Sequence, residues 1–161
     1  MAFVSKLTGL LLTIVFLAGC NSGENTRGDK QVFLLDDLAS VSLVVEDVIE
    51  QSGIKKKGYV VIIPDQSESA KKNAKKLRQE FYKKEIMAVH ILSINPAADL
   101  LRTDVITIEN ARIICLLGRS KVDLSKNNQY EVSLLNALKN DAFVVVNNKE
   151  TEQVFANAIS P

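Results

Sequence analysis

The chain has 161 residues, which is enough for one domain of ordinary size. Twenty basic residues against nineteen acidic ones leave a formal charge of +1, and this balance argues against a protein dedicated to nucleic acid. Hydrophobic residues make up 47% of the sequence, as in a globular protein, and two cysteines are too few for a disulfide framework.

The first nineteen residues have the three parts of an export signal. Lys6 supplies the positive charge, and residues 7–17 form an apolar run that is too short to span a bilayer comfortably. The small residues Ala18 and Gly19 then precede Cys20. This ending resembles a bacterial lipobox, which implies a diacylglycerol on the Cys20 thiol and cleavage after Gly19. A soluble protein with an apolar first strand is the alternative.

The lipobox divides the chain and implies a location for it. The predicted segments are a signal peptide at 1–19, a flexible tether at 20–30 and a single domain at 31–161. Several acyl chains at Cys20 would hold the protein in a lipid bilayer. Asn21 follows the cysteine where an aspartate would signal retention, so the resemblance to Gram-negative lipoproteins implies the outer membrane, facing the periplasm. Acylation of Cys20 leaves Cys115 without a disulfide partner, so the apolar core must stabilise the domain.

Five short apolar runs follow the tether at intervals of 26 to 29 residues. They are Val32–Leu35, Tyr59–Ile63, Met87–Leu92, Ile113–Leu117 and Ala142–Val146. The intervals fit strand–helix–strand units of about thirty residues. Near-continuous apolarity is typical of strands that are buried on both faces. The sequence therefore predicts a three-layer α/β domain, with a mostly parallel five-stranded sheet and helices on both faces.

The segments between the runs carry helix signals. The predicted helices are Leu38–Ser52, a stretch after Pro64, Ala97–Arg102, Gln129–Lys139 and Thr151–Ile159, while residues 104–110 are ambiguous between helix and strand. Asp36 or Asp37 can cap the first helix, and Gly53 can end it. Asn95 can cap the third helix, with Pro96 at its first position. For the fourth helix we expect Val132, Leu135 and either Leu134 or Leu138 to face inward.

The second predicted helix has a lysine-rich outer face. Either Asp65, with Glu68 at capping-box spacing, or Ser67 can cap this helix. The basic residues of the helix and of the loop before its strand are Lys55–Lys57, Lys71, Lys72, Lys75, Lys76, Arg78, Lys83 and Lys84. A solvated helix surface is the simpler interpretation of this face, and contact with anionic lipid headgroups is the other.

Polar residues follow the predicted strands at the edge where ligands gather in parallel sheets. The candidates for a ligand site there are Asp65, Ser67, Asn95, Arg119 and Asn147. The sequence has no glycine-rich phosphate motif and no metal-ligand spacing, so we predict neither a cofactor nor a metal. His90 is the only histidine, and both it and Cys115 lie in apolar runs, where we expect them to pack in the core. Thr151, Asp36, Asp37 and Asp65 are better explained by helix capping than by catalysis.

The order of segments resembles the cyanophycinase and dipeptidase E family of serine peptidases. Residues 59–67 resemble that family's valine-rich strand followed by Ile-Pro and small polar residues. Residues 111–118 resemble its next strand, and residues 134–146 resemble the helix and strand that lead to its nucleophile. The resemblance implies a class I glutamine amidotransferase-like fold, which is flavodoxin-like in its layers.

The sequence departs from this family where the chemistry would be. Arg119 follows Gly118 in place of a second glycine, and Lys121 stands where the family has a glutamine. Residues 147–151 read Asn-Asn-Lys-Glu-Thr, whereas the family has Gly-Thr-Ser-Ala-Gly with the attacking serine at its centre. A nucleophile elbow needs small neighbours, which this turn lacks. The family's catalytic histidine also has no counterpart, so no catalytic residue is predicted.

Together these patterns predict a membrane-anchored lipoprotein whose shortened, non-catalytic cyanophycinase-like domain acts in binding or interaction at the cell envelope. The expected partners are the bilayer, through Cys20, and a small molecule or an envelope protein. One alternative is a serine-peptidase-like hydrolase with a displaced site. The other is a one-lobed small-ligand module that a homodimer would complete.

Overall fold

The computed structural model describes residues 31–36, 40–95, 98–118, 122–125 and 128–159. The predicted signal peptide, the lipidation site Cys20 and the tether lie outside these ranges, as do Asp37, Leu38, Arg119 and Lys121. Within them, no helix has both the length and the apolar character that crossing a membrane requires.

In the described part of the chain, five parallel strands form one sheet, as the apolar runs predict. They are β1 (Val32–Leu34), β2 (Val60–Pro64), β3 (Val89–Ile91), β4 (Ile113–Leu117) and β5 (Phe143–Val146). Their order across the sheet is β1-β5-β4-β2-β3. β1 and β3 lie at the two edges and keep only three residues each, whereas β2 and β4 at the centre are buried along their whole length.

Five helices among the described residues connect and cover the strands. They are α1 (Val41–Ser52), α2 (Glu68–Lys83), α3 (Arg102–Glu109), α4 (Gln129–Lys139) and α5 (Lys149–Ile159). Successive side chains of a strand point to opposite faces of the sheet, and Val60 and Val61 show the result. Val60 packs with the buried residues of α1 and α2, and Val61 packs with those of α3, α4 and α5. The domain therefore has three layers, which confirms the predicted α/β architecture.

The strand order creates a crevice in the middle of the sheet. β2 and β4 are neighbours and pair from Val60 with Ile113 to Pro64 with Leu117. The helix that follows β2 covers one face, whereas the helix that follows β4 covers the other. In an open parallel sheet, such a reversal leaves space beyond the carboxyl ends of the two strands, and ligands bind there.

The caps of the first two helices differ in part from the predicted ones. Ser40 occupies the cap position of α1, although its side chain makes no capping hydrogen bond, and Asp36 is not the cap. Gly53 ends α1 in the left-handed conformation with φ of 62°, as predicted. Of the two alternatives for α2, Ser67 is the cap, because its hydroxyl accepts a hydrogen bond from the backbone N–H of Ala70 at 3.2 Å.

The predicted third helix was placed too early in the sequence. Residues 98–101 are not helical, and α3 begins at Arg102 after the cap position Leu101, so neither Asn95 nor Pro96 starts it. The ambiguous segment 104–110 is mostly helical. Burial explains this shift, because Ile108 is fully enclosed against the sheet while Leu101 is 69% exposed.

Two expected core residues are exposed. His90 lies on the edge strand β3 and is exposed there, with its ring packed edge-on against Tyr59 at 5.3 Å between centroids. Val132 is 38% exposed, because the buried side of α4 is formed by Tyr130, Ser133, Leu134, Ala137 and Leu138 instead. Both predictions were therefore wrong, whereas Cys115 is fully buried as expected.

Candidate functional site

A cavity of about 260 Å³ opens at the carboxyl ends of β2 and β4, in the crevice that the strand order creates. We call it the carboxyl-edge cavity. Its lining residues come from both strand ends, from the loops after β3 and β4, and from the first turns of α4 and α5: Ile63–Ser67, Ile94, Leu116–Gly118, Val122, Tyr130, Glu131, Asn148 and Thr151. Its wall combines aliphatic side chains with carboxyl, hydroxyl and amide groups.

The structure brings some of the predicted site residues together and separates others. Asp65 and Ser67 line the carboxyl-edge cavity. Asn147 lies directly beside it, because its side chain binds the lining residue Gly118. Asn95 is exposed and does not line the cavity, although its neighbour Ile94 does. Arg119 lies outside the described residues.

Asp65 organises the turn between β2 and α2. Its Oδ1 atom accepts hydrogen bonds from the backbone N–H of Ser67 at 2.9 Å and from the Ser67 hydroxyl. Its own backbone N–H donates to the carbonyl of Leu117 at 2.7 Å, which extends the β2–β4 pairing by one residue. Asp65 therefore fixes both the start of α2 and the floor of the cavity.

Gly118 sits where only glycine fits. Its φ of 130° is in a region that other residues rarely adopt, and a Cβ atom at this position would overlap the carboxylate of Asp65. The side chains of two asparagines hold its backbone. Its N–H donates to Oδ1 of Asn147 at 2.9 Å, and its carbonyl accepts from the Asn148 amide at 3.3 Å. The close approach of Gly118 to Asp65 is thus built into the strand ends.

The turn after β5 joins that strand directly to α5. Here Asn147 and Asn148 occupy the turn. The Asn148 side chain also accepts a hydrogen bond from the backbone N–H of Thr151 at 2.7 Å, which caps α5. Both asparagines act in positioning the backbone, and neither carries a hydroxyl or thiol that could attack a carbonyl.

Thr151 places a hydroxyl at the wall of the carboxyl-edge cavity. The residue is only 2% exposed, and its Oγ1 atom has no hydrogen-bond partner among the described residues. A nucleophilic hydroxyl needs a base within hydrogen-bond reach, and no described residue supplies one to Thr151.

Glu131 adds a buried carboxyl group that sequence reasoning missed. The residue is 6% exposed and lines the cavity from the first turn of α4, next to Tyr130. Burial, with the nearby Glu131 carboxylate as a second cause, raises the pKa of the Tyr130 phenol above its ordinary value. The sequence does indicate that Glu131 faces inward. It stands three residues before Leu134 and seven before Leu138, which places all three on one face of a helix.

The remaining reactive residue types lie away from this cavity. Cys115 is enclosed in the core, and burial raises the pKa of its thiol, which keeps it protonated and unreactive. His90 is exposed at the sheet edge. In the part of the chain that the structure describes, no group of three or more His, Cys, Asp or Glu residues could hold a metal ion.

A second depression, of about 570 Å³, lies at the opposite, amino-terminal edge of the sheet. Arg112 forms part of it, but its guanidinium group is already engaged. It donates to the carbonyls of Ser52 at 2.6 Å and Asp141 at 2.9 Å, and it lies 5.2 Å from the centre of the Phe143 ring. These contacts tie three loops together, so Arg112 has a structural role there.

Comparison with protein-family models, with curated proteins and with solved structures finds no match for this chain. The function of the domain is therefore inferred from the geometry of the carboxyl-edge cavity and from the patterns of the sequence.

Proposed function

We propose that the chain is a membrane-anchored lipoprotein of the cell envelope whose α/β domain binds a small ligand in the carboxyl-edge cavity without catalysing a reaction. The observation that carries the proposal is the Thr151 hydroxyl, which is buried without a partner in the wall of that cavity. It supports a small molecule rather than an envelope protein as the partner of the non-catalytic domain that the sequence predicts.

An unpartnered buried hydroxyl is unfavourable for folding. Leaving such a group without a hydrogen bond costs about 1–3 kcal/mol. A ligand that supplies the missing partner recovers this free energy on binding, and it reaches the enclosed Oγ1 atom when the neighbouring side chains of the wall shift slightly. The surrounding cavity is preformed, because Asp65, Asn147 and Asn148 are fixed by hydrogen bonds to the ends of the strands.

The lining indicates the class of ligand. A cavity of about 260 Å³ is small for a ligand site, so a compact molecule of about the size of an amino acid suits it. Its aliphatic wall, which includes Leu116 and Val122, suits a branched hydrocarbon body. The carboxyl groups of Asp65 and Glu131 favour a cationic or neutral hydrogen-bond donor over an anion. We therefore propose a compact amine or alcohol with an apolar body.

A matched series of probes tests this class. We expect isobutylamine and isobutanol to shift the amide resonances of residues around the cavity in an NMR titration, and isobutyrate to leave them unchanged. Glu131→Gln should weaken binding of the amine, and Thr151→Val should weaken binding of both. Asp99→Asn, an exposed change outside the cavity, is the control. The binding proposal is wrong if no probe shifts these resonances, or if isobutyrate binds best.

The anchor is proposed from residues 17–20 and is tested separately. We expect the protein to incorporate labelled palmitate in cells and to fractionate with the outer membrane. Cys20→Ser should abolish both, whereas Cys115→Ala should leave acylation intact because that thiol is buried. An unprocessed, unlabelled chain in the cytosol would contradict the anchor.

The absence of catalysis is supported by the turn after β5, where asparagines stand in the place of the expected serine. We propose that the domain is a relative of the cyanophycinase and dipeptidase E family that has lost the elbow. The purified protein should show no turnover of dipeptides or cyanophycin and no labelling by serine-reactive probes. Turnover that is lost on mutation of any residue from 147 to 151 would favour the hydrolase alternative instead.

A further inference from the structure

The amino-terminal edge of the sheet is the part of the domain closest to the proposed anchor. All five strands are parallel, so their amino ends lie together at the edge opposite the carboxyl-edge cavity. Gln31, the first described residue, precedes β1 at this edge. Ten residues separate it from Cys20, and they can span at most about 35 Å when fully extended.

This amino edge is positively charged. The described loops that form it are 53–59, 84–88, 110–112 and 140–142, and they carry five basic side chains against two acidic ones. Lys84 is paired with Glu46 at 2.9 Å, and Arg112 is engaged with carbonyls. Lys55–Lys57 are exposed, and no ion pair joins them to a described residue. These three lysines therefore carry the positive charge that is available to bind an anionic partner at this edge.

An exposed apolar side chain stands at the same edge. Met87 is 70% exposed in the loop that leads into β3, and its neighbour Ala88 is exposed as well. A few basic residues beside an exposed apolar one are typical of surfaces that rest on lipid headgroups, where the cations meet phosphate and the apolar group enters the interface.

We infer that the amino edge docks on the anionic phospholipid surface of the membrane that holds the anchor, with Lys55–Lys57 on the headgroups and Met87 in the interface. The inference rests on the proposed lipid anchor, which keeps this edge close to the bilayer. Each lysine near an anionic surface strengthens binding about fivefold. In this orientation the strands stand upright on the membrane, and the carboxyl-edge cavity opens away from it.

Tryptophan reporters at the two edges test the orientation. The chain has no tryptophan of its own, so a single one reports only its own position. Met87→Trp labels the amino edge, and Leu101→Trp labels the carboxyl edge at an almost equally exposed site. The acylated protein is reconstituted in vesicles of phosphatidylcholine, alone or with about 30 mol% phosphatidylglycerol, whose brominated chains quench tryptophan at the interface.

We expect the fluorescence of Met87→Trp to be quenched in the vesicles with phosphatidylglycerol and to recover at high salt. Leu101→Trp should stay unquenched in both vesicles. Adding Lys55→Glu, Lys56→Glu and Lys57→Glu to the Met87→Trp protein should abolish the quenching. The matched control makes the same change of charge at three exposed lysines on the outer face of α2, with Lys72→Glu, Lys75→Glu and Lys76→Glu. This control should retain the quenching.

Equal quenching of the two tryptophan reporters would overturn the inference. So would an equal loss of quenching in the two triple variants. Flotation with pure phosphatidylcholine vesicles separates its failure from that of the anchor. Protein that floats with these vesicles but shows no phosphatidylglycerol-dependent quenching refutes the docking and leaves the anchor standing. Protein that does not float refutes the anchor, and the docking with it.

Discussion

Thr151 carries a buried polar group that opposes folding. Its hydroxyl is enclosed at the cavity wall without a partner. We predict that Thr151→Val raises the free energy of unfolding by about 1–2 kcal/mol, because the change keeps the shape and removes the unsatisfied group. Urea unfolding measures this difference.

Thr107→Val is the matched control for that prediction. The Thr107 hydroxyl donates to the carbonyl of Thr103 at 2.7 Å, so the same substitution removes a made hydrogen bond. It should lower the free energy of unfolding by about 0.5–1 kcal/mol. A fall for both variants would show that the Thr151 hydroxyl has a partner in solution.

Gly118 is a second residue whose identity the cavity requires. We predict that Gly118→Ala lowers the free energy of unfolding by more than about 2 kcal/mol, because the new Cβ meets Asp65 and the backbone is strained. Gly53 also has a positive φ, but there is open space around it. Gly53→Ala should therefore lower the free energy of unfolding by only about 1 kcal/mol. Denaturant unfolding measures the free energy of unfolding of the two variants. Equal losses would show that contact between the new Cβ and Asp65 adds nothing to the cost.

Among the elements, α2 depends on the Asp65–Ser67 turn for its first residues. Ser67 accepts a hydrogen bond from Ala70 and donates one to Asp65. We predict that Ser67→Ala lowers the free energy of unfolding by about 1 kcal/mol. Ser42→Ala, an exposed change within α1, should leave stability within about 0.5 kcal/mol. Circular dichroism during thermal unfolding would show the difference, and an unchanged Ser67 variant would refute the role of the cap.

The elements that were predicted correctly are those with a strong apolar pattern. α4 has the predicted bounds, and the central strand β4 does as well. α3 was placed too early because Asn95 and Pro96 resemble a helix start, whereas burial of Ile108 decides where the helix forms. His90 was expected inside because its run is apolar, but that run forms a short edge strand with a neighbour on one side only.

The site could be predicted only in part. Asp65 and Ser67 were found because they follow a buried strand, and ligands bind at strand ends. The strand order that places them opposite α4 and α5 could not be read from the sequence, since all the strands are similarly apolar. Glu131 was missed for that reason, although its helix was predicted correctly.

At the scale of the whole molecule, a buried thiol and a buried phenol make the free energy of unfolding sensitive to alkaline pH. Burial raises the pKa of Cys115 from an ordinary value of 9.0 and that of Tyr130 from 10.0. Above those ordinary values the unfolded chain loses protons that the folded chain keeps, so it gains stability relative to the folded state. We predict that the free energy of unfolding falls between about pH 9 and pH 11.

Urea unfolding across this range measures the slope. Tyr130→Phe should make the slope shallower above about pH 10, because the variant has no phenol to ionise in the unfolded state. Tyr82→Phe is the control, since that ring is exposed. Stability that stays constant or rises across this range would contradict the burial of both groups.

The pairing of β1 has a consequence for how the protein assembles. Val32 pairs with Val144, more than a hundred positions later, and among the described strands β5 is the sole neighbour of β1. Closing so long a segment is slow, because its entropy must be lost before any contact forms. A chain that is synthesised from its amino end therefore cannot complete the sheet until the residues of β5 have been made, and β1 stays without a strand neighbour until then.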